Sequence, residues 1–285
     1  MNKKARIARL SVISNICLII MKVIVGLISG SVSIISEAIH STMDLVAALI
    51  AFFSVQVSDN PPDSKHPYGH GKIENISGVI EAILIFVASI WIIYEAIHRL
   101  LSGGRLESVW AGCAVMFASA AANTYVSRRL YKVSRETGSV ALEADALHLK
   151  ADVFTSLGVG TGLLLIQVTG VHYLDPIIAI LVAIFIMFEA YNLLKHAYSP
   201  LLDNSLPADD LEIITTAISK FSGDFHNLRT RKSGNQSFID FHLELPEDIS
   251  VKSAHDLCDS IEDEIKSKIQ NAEVTIHVET PEQKK

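Results

Sequence analysis

The segment EADALHLKADVFTS, residues 143–156, decides how the chain is read. Within it His148 and Asp152 stand four residues apart, so a helix carries both on one face. Small and apolar residues fill most of the rest, and ionisable groups within a greasy helix are costly in lipid and tend to mark function. Upstream, SEAIHSTMD, residues 36–44, repeats the spacing with His40 and Asp44. Two such pairs facing each other supply two imidazoles and two carboxylates, a complete tetrahedral shell of the kind zinc accepts. The rival readings are interior hydrogen-bond partners and a proton relay without metal. Small residues flank both pairs, among them Gly26 and Ser41 beside the first and Ala144, Ala151 and Ser156 beside the second, and these let membrane helices approach closely.

The surrounding chain has a membrane composition: 285 residues, 49% hydrophobic and 19% charged. The long apolar runs lie before Pro200. Charge divides there too, with 15 Lys/Arg against 14 Asp/Glu in residues 1–200 and 9 against 17 in residues 201–285, so the net charge of −7 comes from the tail. An acidic tail excludes nucleic acid as the expected partner and suits cations. Cys17, Cys113 and Cys258 show no paired spacing, so neither a disulfide framework nor a thiolate site is implied.

Six stretches are long enough to cross a bilayer by the usual criterion of about 20 residues: Ile7 to Ile28, Val32 to Val57, Ile76 to Ile97, Val109 to Arg128, Val140 to Val168 and Pro176 to Leu194. The basic start, Met1 to Arg9, reads as the flank of an uncleaved first span rather than a signal peptide. Basic residues gather on one side of these spans: Lys3, Lys4, Arg6 and Arg9, then Lys65 and Lys72, then Arg128, Arg129, Lys132 and Arg135. That bias places both termini in the cytoplasm. Glu37, Glu74 and Glu81 are further acids in or near the spans, suited to lining an ion path.

After Pro200 the periods change. Asp209 to Phe221 has helical spacing, Asn227 to Thr230 and Phe238 to Leu245 read as strands, Ser253 to Ile269 is helical again, and Val274 to Val278 is a last strand. The α-β-β-α-β order predicts a small two-layer domain with helices on one sheet face. The expected organisation is therefore an α-helical polytopic membrane domain of six spans over residues 1–200, followed by a small α+β domain over residues 201–285.

Two more groups have ligand chemistry. Between the second and third spans the loop reads DSKHPYGHGK, residues 63–72, with Asp63, His66 and His70 in a compact turn punctuated by Pro67, Gly69 and Gly71. In the tail His226, His242, His255 and His277 recur with Glu279, and His277 and Glu279 share one side of the last strand. A plain surface linker and exposed histidines on an acidic domain are the alternatives.

The strings SEAIHSTMD, HPYGHGKIE, EADALHLKADVFTS, HNLRTRKSG and VTIHVE together resemble the cation diffusion facilitator family of divalent metal/proton antiporters, over nearly the whole chain. The resemblance implies a transport site at His40, Asp44, His148 and Asp152, a loop site at Asp63, His66 and His70, and a cytoplasmic binuclear site at His226, His242, His255, His277 and Glu279. It also implies a homodimer in the lipid bilayer, a ferredoxin-like tail, a multi-pass place in a prokaryotic inner membrane, and protons as counter-ion. Zn²⁺ is the expected cargo and structural ion, with Fe²⁺, Mn²⁺, Cd²⁺ and Co²⁺ as other family substrates. Glu279 stands where the pattern has aspartate. His40 stands where broader-range members have aspartate, which favours zinc because imidazole is the softer ligand. No enzymic chemistry is expected. The other functions weighed are an organic-cation pump and a non-transporting metal sensor or scaffold.

Overall fold

The computed structural model describes residues 3–29, 32–102, 109–169, 174–221 and 224–281. The chain separates into two compact units, Met1–Tyr198 and Ser199–Lys285. The first is all helical: α1 (Lys3–Ser29), α2 (Val32–Ser58), α3 (Lys72–Ser102), α4 (Val109–Thr137), α5 (Val140–Thr169) and α6 (Leu174–Tyr198).

The expectation of six membrane spans is corrected by this structure. All six helices form, but among the described residues only three stretches are long and apolar enough to cross a membrane: Lys3–Ile28, Lys72–His98 and Ala179–Leu202. The apolar part of α2 is the shorter Asp44–Ser58. Composition explains the difference. α2, α4 and α5 spend positions on buried polar groups, including Asp44, Ser119, Asn123, Asp145 and His148, and α4 runs on into the cations Arg128, Arg129, Lys132 and Arg135. Helical period announces such a helix well, whereas crossing lipid also demands a nearly uncharged run.

α5 is the helix around which the unit packs. On one side Ala141, Leu142, Ala146 and Leu149 join a buried cluster with Ala5 and Ala8 of α1, Val55 of α2 and Val126, Leu130 and Val133 of α4. On the other, Ala144, Leu147 and Ala151 pack with Ala82 and Ile85 of α3 and Ile186, Ala190 and Leu193 of α6. Alanine at four of these α5 positions is what lets neighbours close in on both flanks. Gly78 marks another close approach: a Cβ there would lie 3.0 Å from both the Ala197 Cβ and the Val140 Cγ1.

One end of the helical unit is tied by a buried ion network. Lys4 Nζ lies 3.0 Å from Asp59 Oδ1 and 2.9 Å from Glu74 Oε1. Glu74 also accepts from Ser58 Oγ at 2.7 Å and from Ser139 Oγ at 2.5 Å. Those bonds join α1, α2, α3 and the turn into α5.

The second unit runs from a short 3₁₀ turn (Ser199–Leu202) through α7 (Ala208–Ser219), β1 (Phe225–Ser233), β2 (Gln236–Glu244), α8 (Val251–Lys268) and β3 (Ala272–Glu279). β1 and β2 pair antiparallel, and β3 lies parallel to β2 on its other edge. The hairpin needs only Gly234 and Asn235, and Gly234 takes the positive φ, 59°, that a tight two-residue turn requires. The parallel strand needs a crossover, which α8 supplies. Its N-cap is Ser250, whose Oγ accepts from the Ser253 amide at 3.1 Å. The core combines Ile214, Ala217 and Ile218 of α7, Ile239, Phe241 and Leu243 of β2, and Ile261 and Ile265 of α8. Both helices thus cover one face of the sheet, as the alternation of β2 requires, and its polar residues take the other.

Candidate metal centres

In the helical unit Asp44 of α2 meets His148 and Asp152 of α5, one ligand atom from each lying within 4.8 Å of the others. His148 Nε2 is 3.3 Å from Asp44 Oδ1, and the two residues are 8% and 7% exposed. Tetrahedral zinc with bonds of about 2.0–2.1 Å has ligand-to-ligand edges of about 3.3–3.4 Å, so this pair has the spacing of two corners. Nε2 faces the Asp44 carboxylate without completing a hydrogen bond to it. The three residues line a cavity of about 280 Å³ with Ser89 and Thr155 beside them and apolar walls elsewhere. The side chains of Glu37 and His40 lie outside the described residues, although both positions are on α2.

The loop brings its three residues together as well. Asp63 Oδ1 accepts from the Lys65 and His66 amides at 2.8 and 2.7 Å, which builds the turn before any ligand is considered. Those two amides, then the His66 ring, hold the Asp63 carboxyl below the usual aspartate range. Asp63 Oδ2 is 3.4 Å from His70 Nε2, and the His66 and His70 rings lie with centroids 4.5 Å apart, inclined at 51°. Gly69, at φ 78°, turns the chain between them.

In the second unit strand register does the gathering. His226, His242 and His277 stand in one row across β1, β2 and β3, with ring centroids 5.1 and 4.8 Å apart. Glu279 reaches both His226 Nε2 at 2.9 Å and His242 Nδ1 at 3.1 Å, and these three form the cluster with mutual ligand spacing. His277 is adjacent but outside that set, with Nε2 3.8 Å from Glu279. His255 is not brought to it: it is exposed on α8 and pairs with Asp259 at 3.4 Å. Glu244, 3.3 Å from His226 Nδ1, is a neighbour the site prediction omitted. Its place on the polar stripe of β2 was the available signal. A bulge beside Asn227, at φ 53°, re-aims the end of β1 where His226 sits.

Residues 8–202 match the cation efflux transmembrane domain, and residues 206–281 match the cation efflux protein cytoplasmic domain. The chain is 40% identical over 261 residues to an uncharacterised transporter of Synechocystis, covering 90% of this chain and 84% of that one. It is 31% identical over 273 residues to the cation-efflux pump FieF of Shewanella oneidensis, covering 95% and 92%. Among solved structures, the metal-bound C-terminal domain of the CzcD transporter from Thermotoga maritima is 31% identical, covering 27% of this chain and 93% of that one, with a TM-score of 0.26.

Proposed function

Because this chain belongs to the cation diffusion facilitator family of cation-efflux transporters, we propose that it exports Zn²⁺ from the cytoplasm in exchange for protons, through Asp44, His148 and Asp152 with His40 as fourth ligand. The single observation that supports the reading is the meeting of Asp44 of α2 with His148 and Asp152 of α5, the buried Asp44–His148 pair lying 3.3 Å apart, the spacing of two tetrahedral corners. Two carboxylates and imidazole nitrogen suit zinc better than a harder ion. In one state the four ligands take the ion from the cytoplasm; in the other they release it, and protons replace it. Histidine fits that exchange because proton and metal compete for one nitrogen, with an unperturbed pKa of about 6.5.

The clusters in the loop and on the sheet are further metal sites in this proposal, the second holding zinc at a homodimer contact. Both termini are cytoplasmic, and the protein is a multi-pass component of a bacterial inner membrane. The test is zinc-driven proton flux in proteoliposomes. His148→Ala and Asp44→Ala each lose the flux while eluting as the parent does. Retained flux in either removes the site, and bound zinc without flux in the parent makes the protein a sensor instead.

A further inference from the structure

In the sheet cluster each ring nitrogen of His226 and His242 has its own partner. His226 Nε2 faces Glu279 Oε1 at 2.9 Å, whereas its Nδ1 faces Glu244 Oε1 at 3.3 Å. His242 Nδ1 faces Glu279 Oε2 at 3.1 Å, whereas its Nε2 lies 3.2 Å from Asn227 Nδ2. The two rings therefore approach the shared carboxylate through opposite nitrogens. Because the nitrogens of one imidazole point apart, Glu244 and Asn227 stand behind the rings, on the side away from Glu279.

The backbone builds both placements. Glu244 follows His242 by two residues on β2 and so shares its face. It is in register with Glu279 of β3, and its amide donates to the Asp224 carbonyl at 2.9 Å. Asn227 directly follows His226, and regular alternation would send its side chain to the opposite face. The register shift between His226 and Arg229 and the φ of 53° at Asn227 break that alternation, and the amide comes to His242 instead. Asparagine tolerates this backbone better than most residues, and such outliers gather at ligand sites.

A histidine that ligates a metal through one nitrogen donates the other N–H to a carboxylate or carbonyl, which fixes its tautomer and orientation. The Glu244 carboxylate only accepts, and the Asn227 amide accepts through its oxygen once turned over. We propose that Glu244 and Asn227 are positioning residues that fix the tautomers of His226 and His242, so that zinc is taken through His226 Nε2 and His242 Nδ1. The inference rests on the reading of this cluster as a metal site. A carboxylate behind a ring raises its basicity as a ligand more than an amide does, which makes His226 the stronger of the two.

The fragment from Ser199 to Lys285, which has its own core, is titrated with Zn²⁺ by calorimetry. Long-range proton–nitrogen NMR correlations of the zinc-loaded fragment then read which nitrogen of each ring carries hydrogen. The expected spectra place it on His226 Nδ1 and on His242 Nε2. Glu244→Leu weakens zinc binding by about tenfold, and Glu244→Gln, which keeps an accepting oxygen, by less. Asn227→Asp puts a carboxylate behind His242 on a backbone that aspartate also tolerates, and it tightens binding, an effect that a merely structural asparagine does not produce. Zinc bound through His226 Nδ1 or His242 Nε2 overturns the proposal, as does an affinity unchanged in both Glu244→Leu and Asn227→Asp. If a variant fails to fold, the spectra of the parent decide the matter. A parent fragment that binds no zinc removes the sheet site itself, whereas a zinc-binding parent with the other tautomers removes this inference alone.

Discussion

Glu279→Gln in the second unit should abolish most of the stabilisation that zinc confers on it. Glu279 is the junction of the cluster, 2.9 Å from His226 and 3.1 Å from His242. Its backbone carbonyl accepts from the Leu245 amide at 2.9 Å, so glutamine keeps the strand pairing while losing the charge. At a zinc concentration 100 times Kd, binding to the folded state alone adds about 2.7 kcal/mol. The unit from Ser199 to Lys285 has its own core, and in a domain of that size each kcal/mol moves Tm by about 4–8 °C. Zinc should therefore raise the Tm of the parent fragment by about 10–20 °C. Changes outside a ligand shell already weaken metal binding by about 10–100-fold, so loss of a ligand should weaken it by at least about 100-fold. At the same zinc concentration about 0.4 kcal/mol then remains, a rise of only about 2–3 °C. Differential scanning calorimetry with and without zinc, on parent and variant, reads both shifts. A glutamine variant that keeps the full rise, or a parent that shows none, would refute the ligand assignment.

Acid should unfold the same unit partly through Glu264, whose carboxyl is pushed down to about 2 by hydrogen bonds from Lys220 and Lys268. A carboxyl depressed in the folded state stabilises fully above its unfolded value of about 4.3 and loses that effect as pH falls toward 2; Glu264→Gln should flatten the fall in Tm across that window, and an unaltered profile would exclude the contribution. In the helical unit, Lys4→Met leaves Glu74 buried with two hydroxyl donors and no cation. Breaking a buried pair in this way should cost about 3–5 kcal/mol, seen as a lower thermal midpoint in detergent. Gly78→Ala forces a methyl against Ala197 and Val140 at 3.0 Å and should destabilise by about 1–3 kcal/mol in the same measurement.

The sequence carries the local periods plainly. His148 and Asp152 share a helix face because four residues are nearly one turn, and the alternation of β2 separates Phe241 and Leu243 in the core from His242 and Glu244 on the open face. What periodicity does not carry is which partners a third element brings. Parallel pairing of β3 with β2 sets His277 beside His242, a relation between strands that no single strand contains. His255 has the right type and an acidic neighbour, yet α8 turns it away from the cluster. The count of membrane spans erred for a related reason: helices that turn polar side chains inward keep a helical period while lacking the continuous apolar run.

The loop of Asp63, His66 and His70 has a turn already closed by its own amides. One carboxylate oxygen of Asp63 is occupied with backbone, leaving Oδ2 toward His70. A cation arriving there meets a finished receptacle and has no chain to order, so capture and escape proceed without the slow refolding that a disordered loop imposes. Such a place suits brief residence, and its occupancy would follow the surrounding ion concentration closely, leaving protease sensitivity and circular dichroism almost unchanged.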